Sequence, residues 1–419
     1  MPVVSPSGAL TDAIRFGATL VQARITVYDD TGALVTTEYV PVSTMSITVD
    51  RNSAQRRSGN ITVEAVPSVP PPLFLPTDPK SALAPFGNEI YLETGIATMP
   101  PGASTYAQVL QWIPMGRMSI ATSTVADTGV DCVITLGLYD RSWVISQRKF
   151  LKPYIFPATS TGEFAAEIEK LLNQVWDNSA NPLQYNIVPT TATVPQASYN
   201  QGSDPWQAAL DMANAVGYEL FFDAYGVVTA RPIPNPATQP ITWNFTDNEI
   251  AIYGDGGSGS GGSNVLFGSP YSTPVDVSVT MTRDGIYNDV IVTGTGTSNA
   301  PASNTGNSQP VLASASDTNP NSATYVNGGM GNVPEFVSSN LATTSAQAQE
   351  IANNDLQAAL SAAWQVSITF PPGAVFLDID DVVSISRPRI GLDVNVVIDT
   401  LDYQISYADT CKLTGRVVA

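Results

Sequence analysis

Asp-Thr-Gly occurs twice in the sequence, at Asp30–Gly32 and Asp127–Gly129. Two such aspartates facing each other share one proton and activate water, which is aspartic-protease chemistry. Here each sits between strand-like runs, in YDDTGAL and VADTGVD. A tight turn uses Asp and Gly there for its own geometry, and the two copies are too close in sequence for two full lobes. The run from Gly254 to Gly259 matches G-x-G-x-x-G. A phosphate cradle needs a helix directly behind it, and SGGSNVLFGSP is not one. Glu163 and Glu167 lie one helical turn apart beside Lys170. A glycosidase pair would place one carboxyl in an apolar pocket, whereas this spacing reads as a solvated helix face. Asp378, Asp380 and Asp381 form a short acidic run without the spacing or glycine of an EF-hand loop, so they read as a strand edge or turn. The sequence contains no histidine. That excludes Ser-His-Asp and Cys-His nucleophiles and every His-ligated zinc site. No catalytic, cofactor-binding or metal-ligating residue is assigned, and no cofactor is expected.

The elements around these residues point to a β-rich protein. Charged residues make up 13% of 419, about half the usual share. Thr, Ser, Val, Gly and Pro are abundant, the composition of short strands and turns. The balance is acidic, 18 Lys+Arg against 37 Asp+Glu, for a net charge of −19. Such a surface repels phosphate backbones and argues against sequence-specific nucleic-acid binding. The N-terminus lacks the basic start and apolar run of a secretory signal, and no window reaches the length of a membrane span, so no membrane anchor is expected. Cys132 and Cys411 lie in alternating apolar runs and read as buried thiols, with a disulfide between distant strands left open.

Residues 1–148 read as a first β-domain, with strands at ARITVYDD, LVTTEYVPV, MSITVD, NITVEAV, EIYLETGI, VLQWIPMGRMSIATSTV and VDCVITLGLYD. The proline-rich 67–88 is extended and unsuited to a central strand. Residues 149–240 read as a small α/β domain. Its first helix spans 160–176, with Ser160 and Glu163 as a capping box. Its second starts at Pro205 behind Asp204 or Ser203, buries Trp206, Leu210, Ala213 and Val216 on one stripe, and stops at Gly217. A hairpin follows, turning at Asp223–Gly226. Residues 241–419 read as a second β-domain with a Gly/Ser tether at 253–264, a flexible loop at 297–332 and a helix at 345–363. That helix carries a Thr344/Gln347 capping box and small inward residues, Ala348, Ile351, Ala352, Ala359 and Ala363, suited to close packing on a sheet. The fold class expected is mainly β with an α+β insertion: two β-barrel-like tube domains and a small α/β domain.

The order and wording of several segments carry a resemblance. MSITVDRNSAQRRSGNITVEAV, LAPFGNEIYLETGI, QWIPMGRMSI and ITLGLYDRSWVISQRKFLKPYIFPATST together resemble minor tail proteins of long-tailed actinobacteriophages. Trp206–Gly226 with Arg231-Pro232, and the C-terminal GLDVNVVIDTLDYQISYADTCKLTGRVV, are similar to the wider group of baseplate-hub and distal tail-hub subunits of phages and related secretion devices. The resemblance implies a non-enzymatic virion protein at the distal end of the tail. It implies a homotrimeric ring of two tube domains per chain, adapting a six-fold tail tube to a three-fold tip around a DNA exit channel. The partners it implies are a distal tail or tail tube protein above, tail-tip or fibre proteins below, and the tape measure protein. An acidic lumen suits passage of DNA without retention. Two rival readings remain: a receptor-binding adhesin of the tail tip, and a carboxylate-based cell-wall hydrolase or aspartic protease.

Overall fold

The computed structural model describes residue 10 and residues 21–35, 39–65, 75–98, 109–127, 129, 132–246, 276–294, 311–339, 341–342, 344–361, 363–371, 375–405 and 410–418. The expected tether at 253–264 and the 297–310 part of the expected loop lie outside them. The strands are β1 (Val21–Tyr28), β2 (Val40–Val42), β3 (Thr44–Asp50), β4 (Arg57–Ala65), β5 (Glu89–Thr98), β6 (Val109–Asp127), β7 (Cys132–Asp140), β8 (Tyr154–Glu163), β9 (Tyr185–Ile187), β10 (Thr193–Tyr199) and β11 (Tyr218–Phe222). They continue as β12 (Val228–Pro232), β13 (Ile241–Thr246), β14 (Asp276–Met281), β15 (Asp289–Gly294), β16 (Val311–Ser316), β17 (Pro334–Ser339), β18 (Trp364–Phe370), β19 (Val382–Arg387), β20 (Leu392–Ile405) and β21 (Cys411–Val417). The α-helices are α1 (Arg141–Gln147), α2 (Phe164–Trp176), α3 (Pro205–Ala215) and α4 (Ser345–Ser361). The protein is mainly β, as its composition implies. Among the described residues no helix is long and apolar enough to cross a membrane.

The chain forms two compact units. The first collects residues 1–139, 235–279 and 366–419 around one 13-stranded sheet in the order β14-β18-β21-β20-β3-β4-β7-β6-β5-β1-β2, with β13 and β19 continuing beside β20. No pairing joins β14 to β2, so the described strands do not close into a barrel. Period-two alternation explains the strands: in β3, Met45, Ile47 and Val49 are buried while their neighbours face outward. β20 pairs antiparallel with β3 from Thr400↔Asp50 to Ile405↔Met45. The two β halves anticipated from the sequence are therefore joined edge to edge and share one core, in which Ile47, Ile61, Leu136, Phe370, Ile398 and Leu413 are buried. Pro114 is accommodated inside β6 because the register shifts there, between Leu92 and Glu93 of β5.

The second unit collects residues 140–234 and 280–365. It holds the sheets β10-β8, β11-β12-β9 and β16-β15-β17. One core packs α2 and α3 against β8 and β11, with Phe164, Leu171, Trp206, Met212 and Phe222 buried. A second core seats Ala348, Ile351 and Ala352 of α4 on Val290, Val292, Ala313 and Ala315. Thr344 and Gln347 cap α4 reciprocally, at 3.2 Å in each direction. Two local expectations are corrected here. Residues 160–163 belong to β8, which pairs with β10 through Glu163↔Thr193, so the Ser160/Glu163 box does not form. β-pairing of Gly162 and Thr161 displaces the helix start to Phe164. Within the expected loop 297–332, residues 311–316 form β16, because Ala313 and Ala315 alternate into the α4 core.

Candidate functional site

In the second unit the helix–hairpin segment is held by its own turn chemistry. The Asp204 carboxylate accepts from the backbone N–H of Trp206 at 2.8 Å and of Gln207 at 3.3 Å, and from Lys149 Nζ at 2.9 Å. It also accepts from the Ser146 hydroxyl. Burial opposes its charge, but the bonds from Ser146 and Lys149 outweigh this and hold the carboxyl below its ordinary range. Gly217 ends α3 at φ +72°, a left-handed conformation open to glycine. The hairpin pairs Tyr218↔Pro232 through Phe222↔Val228. Its turn is fixed by Asp223, whose Oδ1 accepts from the N–H of Tyr225 and Val227, both at 2.9 Å. The Trp206 and Phe222 rings stack at 5.4 Å. The stripe expected on α3 is therefore core and presents no ligand platform, although Leu210 is only partly buried.

The first unit contains a charge cluster that the sequence scatters over more than 300 positions. Arg57 Nη2 donates to both oxygens of Asp378, at 2.8 and 2.9 Å, with its side chain 2% exposed. Arg51 Nη1 lies 3.2 Å from Asp380, and Arg56 Nη2 lies 3.8 Å from the other oxygen of Asp380. Arg416 Nε donates to Asp399 at 2.8 Å. Asp381 accepts from the Asp378 N–H at 3.0 Å, and the buried Tyr403 hydroxyl donates to the Leu377 carbonyl at 2.7 Å. Burial raises the Asp399 carboxyl, against the pull of Arg416 and Arg51, and burial raises Asp381. The Asp378–Asp381 run is a turn, one of the two readings its sequence allows: the Asp381 N–H donates to the Asp378 carbonyl at 3.3 Å and Asp380 sits at φ +68°. It forms the acidic half of an ion cluster whose basic half is the RNSAQRR link between β3 and β4. The doubled arginine and the doubled aspartate were the available signals, but nothing local in the sequence pairs them.

The remaining candidates stay apart. β1 ends at Tyr28, opposite Glu89 and through it Ser119, while Asp127 ends β6 about 25 Å of strand further on. Asp127 accepts from Gly129 N–H at 2.8 Å, and in the first turn it is Asp29, beside Asp30, that accepts from Thr31 and Ala33. The first Asp-Thr-Gly is a turn, and in the second Asp127 ends β6 and accepts from the N–H two residues on. Glu163 ends β8 and is exposed, whereas Glu167 lies on α2 with its side chain only 15% exposed, 3.8 Å from Lys170, so the two do not share the solvated helix face that their spacing suggests. Cys132 and Cys411 are not joined by a disulfide. Sequence reasoning missed a second carboxylate pair: Asp355 of α4 is raised to about 6 by burial and by Glu335 of β17. Among the described residues no group of His, Cys, Asp or Glu could hold a metal ion. What these arrangements do is hold strands and helices in register.

Comparison with protein-family models gives no match, and comparison with curated protein sequences gives none. Solved structures do match along almost the whole chain. The tail protein of Neisseria meningitidis MC58 superposes with a TM-score of 0.57 at 11% identity, covering 94% of this chain and 96% of its own. The 43 kDa tail protein of prophage MuSo2 from Shewanella oneidensis gives 0.54 at 10% identity, covering 95% and 98%. The prophage tail protein gp18 of Listeria monocytogenes EGD-e gives 0.50 at 10% identity, covering 94% of each chain. The chain has the fold of these proteins.

Proposed function

We propose that the chain is a structural virion protein, a tail-hub subunit at the distal end of a phage tail. In this reading three copies form a ring that adapts a six-fold tail tube to a three-fold tip and lines the DNA exit channel. The strands of the 13-stranded sheet, before residue 148 and after residue 241, supply the tube surfaces, and the α/β region with β15–β17 and α4 braces neighbouring copies from outside. The observation that carries the reading is the end-to-end match to three proteins described as tail proteins, each covered over 94% or more of its length. Two further observations support it. Asp127, Asp204, Asp223, Asp378, Asp380 and Asp399 act as turn, cap or ion-pair partners, which suits a structural part. The net charge of −19 suits a channel that passes DNA without binding it. The expected neighbours are a tail tube or distal tail protein above, tip or fibre proteins below, and the tape measure protein.

Immunogold electron microscopy of intact virions tests this with an antibody against residues 140–234. Gold at the distal end of the tail is the expected result. Purified particles lacking the protein would refute the structural role. Particles labelled along fibres, with the isolated protein adhering to host cells, would favour the adhesin.

A further inference from the structure

The segment from Arg141 to Gly162 contains four of the chain's 18 cations, Arg141, Arg148, Lys149 and Lys152, and no acidic residue. Arg141 is buried, but Arg148, Lys149 and Lys152 are exposed, and in a chain of net charge −19 they make a local reversal of sign. At its centre is Leu151, 89% exposed, with Ile155 close behind at 58%. A lone exposed leucine needs no explanation, but this one is presented by a loop fixed on both sides. Phe150 is buried, its N–H donates to the Ser203 carbonyl at 3.1 Å, and its carbonyl accepts from Gly202 N–H at 2.8 Å. Its ring stacks on Tyr154 at 5.0 Å and 10°, and lies 5.9 Å from Tyr199. On the N-terminal side Arg148 Nη1 donates to the carbonyls of Val175 and Trp176 at the end of α2. Lys149 is tied to Asp204 at 2.9 Å. Lys152, between Leu151 and Pro153, is exposed and makes no ion pair among the described residues.

An apolar side chain held out rigidly by ordered neighbours has its ordering cost met before any contact is made, the property of a preorganised anchor. Cations beside it select the sign of the surface it meets. We propose that the Leu151 loop is a docking knob for a second copy of this chain: Leu151 inserts into the neighbour's surface while Lys152 meets its carboxylates. Charge complementarity names the occupant. Two copies with 37 acidic residues each repel over most of their surface, and a basic apolar projection is where they can approach. The inference rests on the ring reading above, since it assigns one of the contacts through which such a ring closes.

The test uses the full chain. Oligomer mass is followed over a concentration series for the wild type, Leu151→Asp and Lys152→Glu, with thermal melts as a folding control. Leu151 is almost fully exposed, so both variants are expected to melt as the wild type does. The expected result is a wild-type oligomer whose half-assembly concentration rises about tenfold or more in Leu151→Asp. For Lys152→Glu a smaller rise is expected, shrinking as salt is added. A photo-cross-linking residue at position 151 should join two copies of the chain. Assembly of both variants at wild-type concentrations would overturn the knob and leave the ring standing. A wild type that stays monomeric throughout would overturn both. Cosedimentation of the wild type with anionic phosphatidylserine vesicles, lost in Leu151→Asp, would replace the second copy with a lipid surface.

Discussion

Arg57 is the residue on which the first unit's charge cluster turns. It is almost completely buried and doubly bonded to Asp378. Removing one partner of such a pair leaves a charge in a place that cannot solvate it, which costs about 3–5 kcal/mol, whereas replacing both by apolar groups is near neutral. Arg57→Ala should therefore lower unfolding stability by roughly that amount in urea titrations. Arg57→Met with Asp378→Leu should recover most of it. A second residue-scale prediction concerns pH. The Asp355 carboxyl is raised from 3.8 to about 6, by burial and then by Glu335. A raised carboxyl binds its proton more tightly when folded, so its stabilising contribution is complete below pH about 4 and is lost as pH rises through about 6. The melting temperature should fall over that window in the wild type, and the fall should flatten in Asp355→Asn. Asp204 has the opposite sign. Held low by Ser146 and Lys149 against burial, it stabilises at neutral pH and loses that contribution only as pH falls below about 4.

At the scale of elements, local chemistry was legible where one side chain decides a boundary. Asp204, Pro205 and Gly217 bracket α3, and Thr344 with Gln347 starts α4, because caps and left-handed glycines act within a few residues. Asp204→Ala should cost about 1 kcal/mol from the cap alone, and more from the lost bonds to Ser146 and Lys149, measured as a drop in denaturation midpoint. The start of α2 was misread because Ser160 and Glu163 satisfy a capping pattern while strand pairing with β10 takes the same residues. Tertiary pairing overrides a local signal, and no window of sequence contains it. The 311–316 strand was hidden for a similar reason. VLASAS has weak strand character until Ala313 and Ala315 find α4. Gly59 shows how tightly β3 and β4 are fitted: a Cβ there would lie 2.1 Å from the Ser46 carbonyl oxygen. Gly59→Ala should destabilise by about 1–3 kcal/mol through overpacking at this register, seen as an earlier thermal transition.

For the whole molecule, the sequence showed how much β structure there is but not how it is joined. Strands before residue 66 and after residue 391 look self-sufficient, each an alternating run bounded by turns. Joining them requires β20 to lie along β3, a contact between positions about 350 apart that no periodicity announces. The same closure brings Asp378 to Arg57, so the candidate site was illegible for the reason the topology was. The first unit is consequently built from three separate stretches of chain, and this makes a prediction about dissection. A fragment of residues 1–148 carries β1–β7 with the apolar alternation of a complete domain. It nevertheless leaves the β3 edge without β20, strips Phe370, Ile398 and Leu413 from its core, and buries Arg57 without Asp378. Uncompensated charge and an open central edge both favour association over folding. The fragment should show no cooperative melt and should be digested by protease at concentrations that leave the full chain intact. Supplying residues 366–419 as a separate polypeptide should restore protection, since those residues carry β20, β21 and the acidic half of the cluster. A cooperative transition in the isolated fragment would mean that the shared sheet is an association between two finished domains and not the means by which either is completed.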